Sequence, residues 1–217
     1  NKIMALNKLK FNSINVTPSA SKAIRFNSGA NGLETASAGG SLVKISRSTA
    51  DGVSSVNITS GIDSTYKEYI FIINNFNPDT SADYDLRVNF SIDGGSNYNV
   101  TKTTSAFRAY HFESGSSAVL QYSSGEDLAQ DTGNQTITGN VGYSGGDESG
   151  CAILHLFDPS NTTFVKHFMS VANRYSADPV SGQVFIGGYA NTTSAINAIQ
   201  FNATANFDAT IDMYGVK

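Results

Sequence analysis

Three histidines carry the side chains best suited to bind a metal or to transfer a proton. His111, His155 and His167 each lie in a run of apolar and aromatic residues, which is typical of a β-strand. Their spacing matches no linear metal motif. Because a turn at residues 158–161 separates His155 from His167, the two can face each other across one hairpin and bind a metal, or they can serve as hydrogen-bonded structural residues. We predict the structural role, with no metal and no cofactor.

Two pairs of adjacent carboxylates are the next candidates, Glu126/Asp127 and Asp147/Glu148. Glycosidases use two carboxylates about 5–10 Å apart. Neighbouring residues of an extended loop point away from each other, so these pairs are predicted to be solvated rather than catalytic. The nucleophile elbow, the zinc-protease motif and the phosphate-binding loops do not occur in the sequence. We therefore predict a protein that is not an enzyme.

The single cysteine, Cys151, excludes a disulfide within the chain. Its neighbours are alanine, isoleucine and leucine on its C-terminal side, which predicts a buried and unreactive thiol. The oxygen-rich segment Asp93-Gly94-Gly95 is compatible with a calcium loop or with a tight turn. It lacks the regular ligand alternation of an EF-hand, so we predict a turn.

Polar loops with aromatic residues could instead contact a sugar, because an aromatic ring packs on a saccharide face while charged groups bond to its hydroxyls. Residues 142–149 and 174–181 form two such loops. The candidate contacts to a glycan or a host surface are Tyr143, Asp147, Glu148, Arg174 and Tyr175. Tryptophan is absent, and tyrosines that cap the core are the alternative interpretation.

Short β-patterned runs must position these residues. From residue 41 onward, turn signals recur about every ten residues and separate about a dozen strands, including two strands divided by a turn at residues 50–52. This spacing predicts an all-β fold, a jelly-roll-like antiparallel sandwich over residues 41–217. Residues 66–98 contain an apolar run, a proline-bearing turn and an alternating run, which together predict a central hairpin.

Composition limits the classes of function. The chain has 217 residues, 15% of them charged, with a formal net charge of −4. An acidic protein does not attract a phosphate backbone, so nucleic-acid binding is not predicted. No apolar run is long enough to span a bilayer, so membrane insertion is not predicted either.

Residues 1–40 are predicted to form an extended arm that docks on the main body, on a neighbouring subunit or on a larger assembly. Its apolar pieces are too short to form a core of their own, and it is basic whereas the rest of the chain is acidic. A solvated tail is the alternative. The side chains predicted to make the docking contacts are Leu6, Leu9, Phe11, Ile24 and Phe26.

Several phrases in residues 40–217 resemble a family of virion structural proteins from tailed phages of marine bacteria. They are DSTYKEYIFIINNFNP, FSIDGGSNYN, FRAYH, LHLFDPSNTTFVKHF, GGYANTTSAINAIQF and the closing DMYGVK. The resemblance implies a virion part assembled in bacterial cytoplasm, and it brings no catalytic residues. We predict a homotrimeric fibre or appendage component that contacts host polysaccharide. A capsid decoration protein anchored to other virion proteins by the arm, and a free carbohydrate-binding module, are the alternatives.

Overall fold

A computed structural model of the chain describes residues 22–37, 41–79, 84–142, 147–176 and 178–217. The chain divides into two compact units, residues 1–42 and 43–217. Every regular element in the described ranges is a β-strand. The strands are β1 (Lys22–Phe26), β2 (Leu33–Ser37), β3 (Leu42–Ile58), β4 (Glu68–Pro78), β5 (Arg87–Ser91), β6 (Lys102–Phe112), β7 (Ala118–Tyr122), β8 (Gln135–Thr136), β9 (Gly150–Phe157), β10 (Lys166–Ser176), β11 (Val180–Ala190) and β12 (Ala198–Val216).

The described part of the first unit is a hairpin of β1 and β2. The turn between them is closed by Asn27, whose backbone bonds to Gly32 and whose side chain bonds to Asn31. Residues 22–37, which we predicted to belong to an extended arm, therefore form a local two-stranded sheet. Ile24 and Phe26 are exposed on it, Phe26 at 72%. The other predicted docking residues, Leu6, Leu9 and Phe11, lie outside the described residues.

The second unit is one ten-stranded sheet, and the predicted all-β class is confirmed. The strand order is β7-β6-β11-β10-β9-β4-β12-β5-β8, and β3 pairs with β12 outside this path. Every pair whose register is defined is antiparallel. The finer jelly-roll arrangement stays a prediction.

The predicted central hairpin of β4 and β5 is wrong, because β12 lies between these two strands. The C-terminal half of β12 pairs with β4, and its N-terminal residues, 198–202, pair with β5. The turn predicted at residues 50–52 is also wrong. β3 continues through it, and Gly52 there adopts a φ of 60° and donates its N–H to the Asp208 carboxylate.

The sheet curls so that its two ends enclose one core. Phe90 on β5 and Phe168 on β10 have ring centroids 5.1 Å apart, although three strands separate β5 from β10 in the sheet. At the ends of the order, Thr104 Oγ1 on β6 donates to Gln135 Oε1 on β8 at 2.7 Å. Apolar residues at alternate positions of β4, β9, β10 and β12 fill the space between the facing layers.

Candidate functional site

The predicted glycan-contact residues do not form one cluster. Arg174 and Tyr175 are consecutive on β10 and so point to opposite sides of the sheet, Arg174 buried and Tyr175 half-buried. Tyr175 lies near the predicted acidic loop, since its backbone N–H bonds to Ser149 O. Burial raises the pKa of Tyr175, and the charges of Glu113, Asp147 and Glu148 add to the increase.

The two carboxylates of that loop also differ. Asp147 is exposed, whereas Glu148 is only 3% exposed and its backbone carbonyl accepts a bond from Asn77 Nδ2 at 2.6 Å. Tyr143 lies outside the described residues. The structure therefore brings Asp147, Glu148 and Tyr175 into one neighbourhood, and it turns the Arg174 side chain to the side of the sheet opposite Tyr175.

Arg174 lines a polar pocket of about 380 Å³ at one end of the curled sheet. We call this cavity the polar pocket. Its walls come from β6, β7 and β10, from the segments on both sides of β8, and from Asp85, which lies shortly before β5. Its charged and amide side chains belong to Asp85, Arg108, Gln121, Glu126, Asn140 and Arg174, and Tyr122 lies at its rim.

Two glycines make room for the Arg174 guanidinium. A Cβ atom at either Gly139 or Gly182 would lie 3.1 Å from Arg174 Nε, closer than nearly all side-chain contacts. Gly139 also has a φ of 64°, which favours glycine. The guanidinium donates from Nη1 to the Asn140 carbonyl. Arg174 is thus packed closely against the β11 backbone at Gly182, and it is held by a hydrogen bond to the segment after β8.

Arg108 and Glu126 form the facing wall of the polar pocket. Arg108 Nη1 lies 3.8 Å from Glu126 Oε1, which is an ion pair too long for a hydrogen bond. With the Gln121 side-chain amide assigned so that its oxygen faces the guanidinium, that oxygen accepts from Arg108 Nε and Nη2 at 3.0 Å each. Glu126 Oε2 is buried and has no hydrogen-bond partner among the described residues. A buried carboxylate oxygen in this state favours any donor that can enter the cavity.

Glu126 and Asp127 were predicted to be a solvated carboxylate pair. They have different environments, because Glu126 lines the polar pocket while Asp127 accepts a 2.6 Å bond from the Tyr122 hydroxyl. That bond is the largest of the causes that raise the pKa of Tyr122. Sequence reasoning missed Arg108, Gln121 and Asn140 as pocket residues. No local spacing could have identified them, since they belong to separate strands and loops.

None of the three histidines lines this pocket. His155 Nδ1 lies 2.6 Å from Glu68 Oε1, and its ring stacks near Phe157 at 6.0 Å. Its partner in the β9–β10 register is Met169 rather than His167. Within the described part of the chain, no group of three or more His, Cys, Asp or Glu residues could hold a metal ion.

The Asp93 segment forms a closed turn. The Asp93 carboxylate accepts bonds from Ser91 Oγ, from the Asn97 backbone N–H and from Asn97 Nδ2. The Ser91 hydroxyl and the Asn97 side chain are the main reasons that the pKa of Asp93 falls to about 2. Gly94 and Gly95 have positive φ angles, 73° and 91°, as such a turn requires.

A second feature is the outer face of the sheet, the side turned away from the core. One row of cross-strand partners on this face is apolar over six strands. In order from β7 to β4 its members are Tyr122, Phe107, Phe185, Val171, Ile153 and Ile72. The Phe107 and Phe185 rings are stacked at 4.7 Å with an interplanar angle of 8°.

Cys151 lies on the outer face, so its predicted burial is wrong. It is exposed and follows the inward-facing Gly150, because alternate residues of β9 point to opposite sides. Its apolar neighbours did not reveal this, since Ala152 faces the core and Ile153 faces outward on the same strand. A shallow cavity of about 270 Å³ joins Cys151 to Ile153 and Val171.

Comparison with protein-family models, with curated proteins and with solved structures gave no match for this chain. Within the described residues no helix has the length and apolar character needed to cross a membrane.

Proposed function

We propose that this chain is a non-enzymatic structural component of a phage virion, and that its copies associate through the outer face into a trimer. The observation that carries the proposal is the apolar row across six strands of that face. Soluble proteins rarely leave contiguous apolar patches of several hundred Å² exposed, and such patches mark interaction surfaces. The phrases that resemble phage virion proteins supply the biological setting.

The dimensions of the outer face suit contact with a second copy. Six strands about 4.8 Å apart span roughly 25 Å, and four rows of outward side chains, the apolar row and three rows of mixed polarity, cover about 20 Å along the strands. The resulting area is about 500 Å² for each copy, so a trimer that closes over this face buries about 1,500 Å² in all. In a threefold trimer each copy presents one part of the face to one neighbour and another part to the second neighbour, because cyclic contacts are heterologous.

The edge of the outer face is polar, as the rim of an interface is expected to be. The apolar row meets β12 at Asp212, which is paired with Arg47 and Lys44. On β9 and β4 the face carries the His155–Glu68 pair. These groups keep their own partners within the chain, so they limit the extent of the contact without leaving an unpaired charge inside it.

The test is the molar mass of the full chain by light scattering coupled to gel filtration at micromolar concentration. We expect three times the chain mass for the wild type. The double variant Ile153→Lys with Val171→Lys places two charges in the centre of the apolar row, and we expect it to elute as a single chain. Asp51→Lys introduces a lysine at an exposed position of β3 and should leave the trimer intact.

A wild-type mass of one chain, or a double variant that remains trimeric, would overturn self-association through this face. The virion role needs its own measurement, which is mass spectrometry and immunogold labelling of purified particles from a host that produces the protein. Label on a tail fibre favours the fibre role, and label on the capsid shell favours a decoration protein. Release of reducing ends from host polysaccharide would contradict the non-enzymatic role.

A further inference from the structure

We infer that the polar pocket binds a neutral saccharide of the type found in cell-surface polysaccharides, without cleaving it. This inference goes beyond the self-association proposed above and uses different residues. It also differs from the predicted glycan contacts, because among the four of those residues that the structure describes, only Arg174 lines the pocket.

The size of the polar pocket fits a small polar ligand. Its volume of about 380 Å³ lies at the lower end of the range, about 300–1,000 Å³, that is usual for small-molecule sites. Most sites of that kind are lined mainly by apolar groups. Here the charged and amide groups of six residues converge instead, which selects a ligand that is covered with hydrogen-bonding groups.

Charge balance then narrows the class of ligand. Two cationic side chains, Arg108 and Arg174, and two carboxylates, Asp85 and Glu126, line the pocket, and Asp85 also lies 3.5 Å from Arg87. A site without excess charge has no preference for an isolated phosphate or for a free cation. Sugar hydroxyls both donate and accept hydrogen bonds, so one hydroxyl can accept from a guanidinium while its neighbour donates to a carboxylate.

Glu126 makes the pocket favour a ligand that donates a hydrogen bond. Glu126 Oε2 is a buried acceptor without a hydrogen-bond partner among the described residues, and the Glu126 side chain as a whole is 12% exposed. Its other oxygen lies 3.8 Å from Arg108 Nη1, beyond hydrogen-bond distance. A ligand that presents adjacent hydroxyls can donate to Oε2 and accept from Arg108, which completes both groups.

The test uses the full-length protein and a panel of neutral monosaccharides and disaccharides, with inorganic phosphate and glycine as further probes. Binding is measured by calorimetry and by backbone amide chemical-shift mapping. We expect at least one sugar to shift the amides of residues 121–126 and 139–140, and neither phosphate nor glycine to do so. Glu126→Gln should weaken that sugar about tenfold, because one hydrogen bond to a charged group is lost.

Asp51→Asn is the matched control, since it makes the same change of charge at an exposed position of β3 and should leave the affinity unchanged. Urea unfolding of both variants shows whether they are folded. If Glu126→Gln proves too unstable to use, the chemical-shift map of the wild type still shows whether the sugar binds in the polar pocket. Binding of no sugar at tens of millimolar, shifts confined to residues outside the pocket, or binding of phosphate or glycine alone would each overturn the inference. None of these results depends on the oligomeric state, so failure here is separable from failure of the proposed assembly.

Discussion

The buried lysine Lys102 predicts an alkaline increase in stability. Its side chain is fully buried near the start of β6, where Nζ donates to Asn89 Oδ1 at 2.6 Å and to Val100 O at 2.7 Å. Burial lowers the pKa of Lys102 from 10.5 to about 8, and the charge of Asp131 offsets only part of this effect. In the unfolded chain the same amine keeps its ordinary pKa.

The sign of the effect follows from proton uptake on unfolding. Between pH 8 and 10.5 the unfolded chain holds a proton on Lys102 that the folded chain has lost, so the free energy of unfolding rises with pH. The interval from about 8 to 10.5 corresponds to ~3 kcal/mol, since one pH unit is worth about 1.4 kcal/mol. Below pH 8 this contribution is a constant penalty.

The assay compares the wild type with Lys102→Met by urea unfolding at several pH values from 7 to 10.5. Methionine removes the charge but leaves Val100 O without its donor, at a cost of ~1–3 kcal/mol, so the two proteins are expected to have similar stability at pH 7. The informative quantity is the difference between their unfolding free energies. It should grow by ~3 kcal/mol in favour of the wild type as the pH approaches 10.5.

Val184→Ala is the control, because it weakens the same core without changing a titratable group. Its profile should run parallel to that of the wild type at all pH values, lower by about 1–2 kcal/mol. Parallel profiles for the wild type and Lys102→Met would refute the reasoning. They would show that the ammonium remains hydrated in the folded protein.

Two further predictions concern β12 and the outer face. Asp212→Asn removes the 2.7 Å pairing with Arg47 and the 2.9 Å contact with Lys44. It should lower the free energy of unfolding at pH 7 by roughly 1–2 kcal/mol. The value is modest because both cationic partners are partly solvated. These two cations hold the pKa of the Asp212 carboxyl well below 3.8, so the stability that Asp212 contributes is present above pH 4 and is lost at lower pH. Urea unfolding at pH 7, 4 and 2.5 should show the free energy of unfolding of the wild type approaching that of the variant as the pH falls. Cys151, the single thiol, should react with a maleimide several-fold more slowly in the wild type than in the Ile153→Lys, Val171→Lys variant, measured by mass spectrometry. Equal rates would indicate that the outer face is uncovered in both proteins.

Local pattern was sufficient to predict the strands but not their neighbours. The alternation in β9 and in the central part of β10, with small or apolar residues inward, identifies a half-buried strand from sequence alone. The same alternation is compatible with any pairing partner. β4 and β5 are adjacent in sequence and carry a turn between them, yet the 19-residue β12 from the end of the chain separates them. Pairing between distant segments is decided by total burial, which no short window contains.

The candidate site was even less accessible to sequence reasoning. The charged residues of the polar pocket run from Asp85 to Arg174 and meet only because the sheet curls. Arg174 was predicted as a contact residue, but beside Tyr175 in an exposed loop rather than on the inward side of β10. The composition of residues 174–181 correctly indicated a polar segment, but it did not reveal that the Arg174 side chain points inward. The in-and-out alternation of β10 continues beyond the apolar part of the strand and includes Arg174.

The two ends of the curled sheet hold their cations in different surroundings, and this contrast supports a binding role for one end. At one end Lys166 and Lys102 flank Ala190 in a single row across β10, β11 and β6. Each ammonium there donates to two oxygens of the protein, and carbonyl groups close the site. At the other end Arg108 and Arg174 border a cavity in which Glu126 Oε2 has no hydrogen-bond donor among the described residues. One end of the curled sheet is thus closed by oxygens of the protein, and the other end presents a buried acceptor to which a ligand can donate.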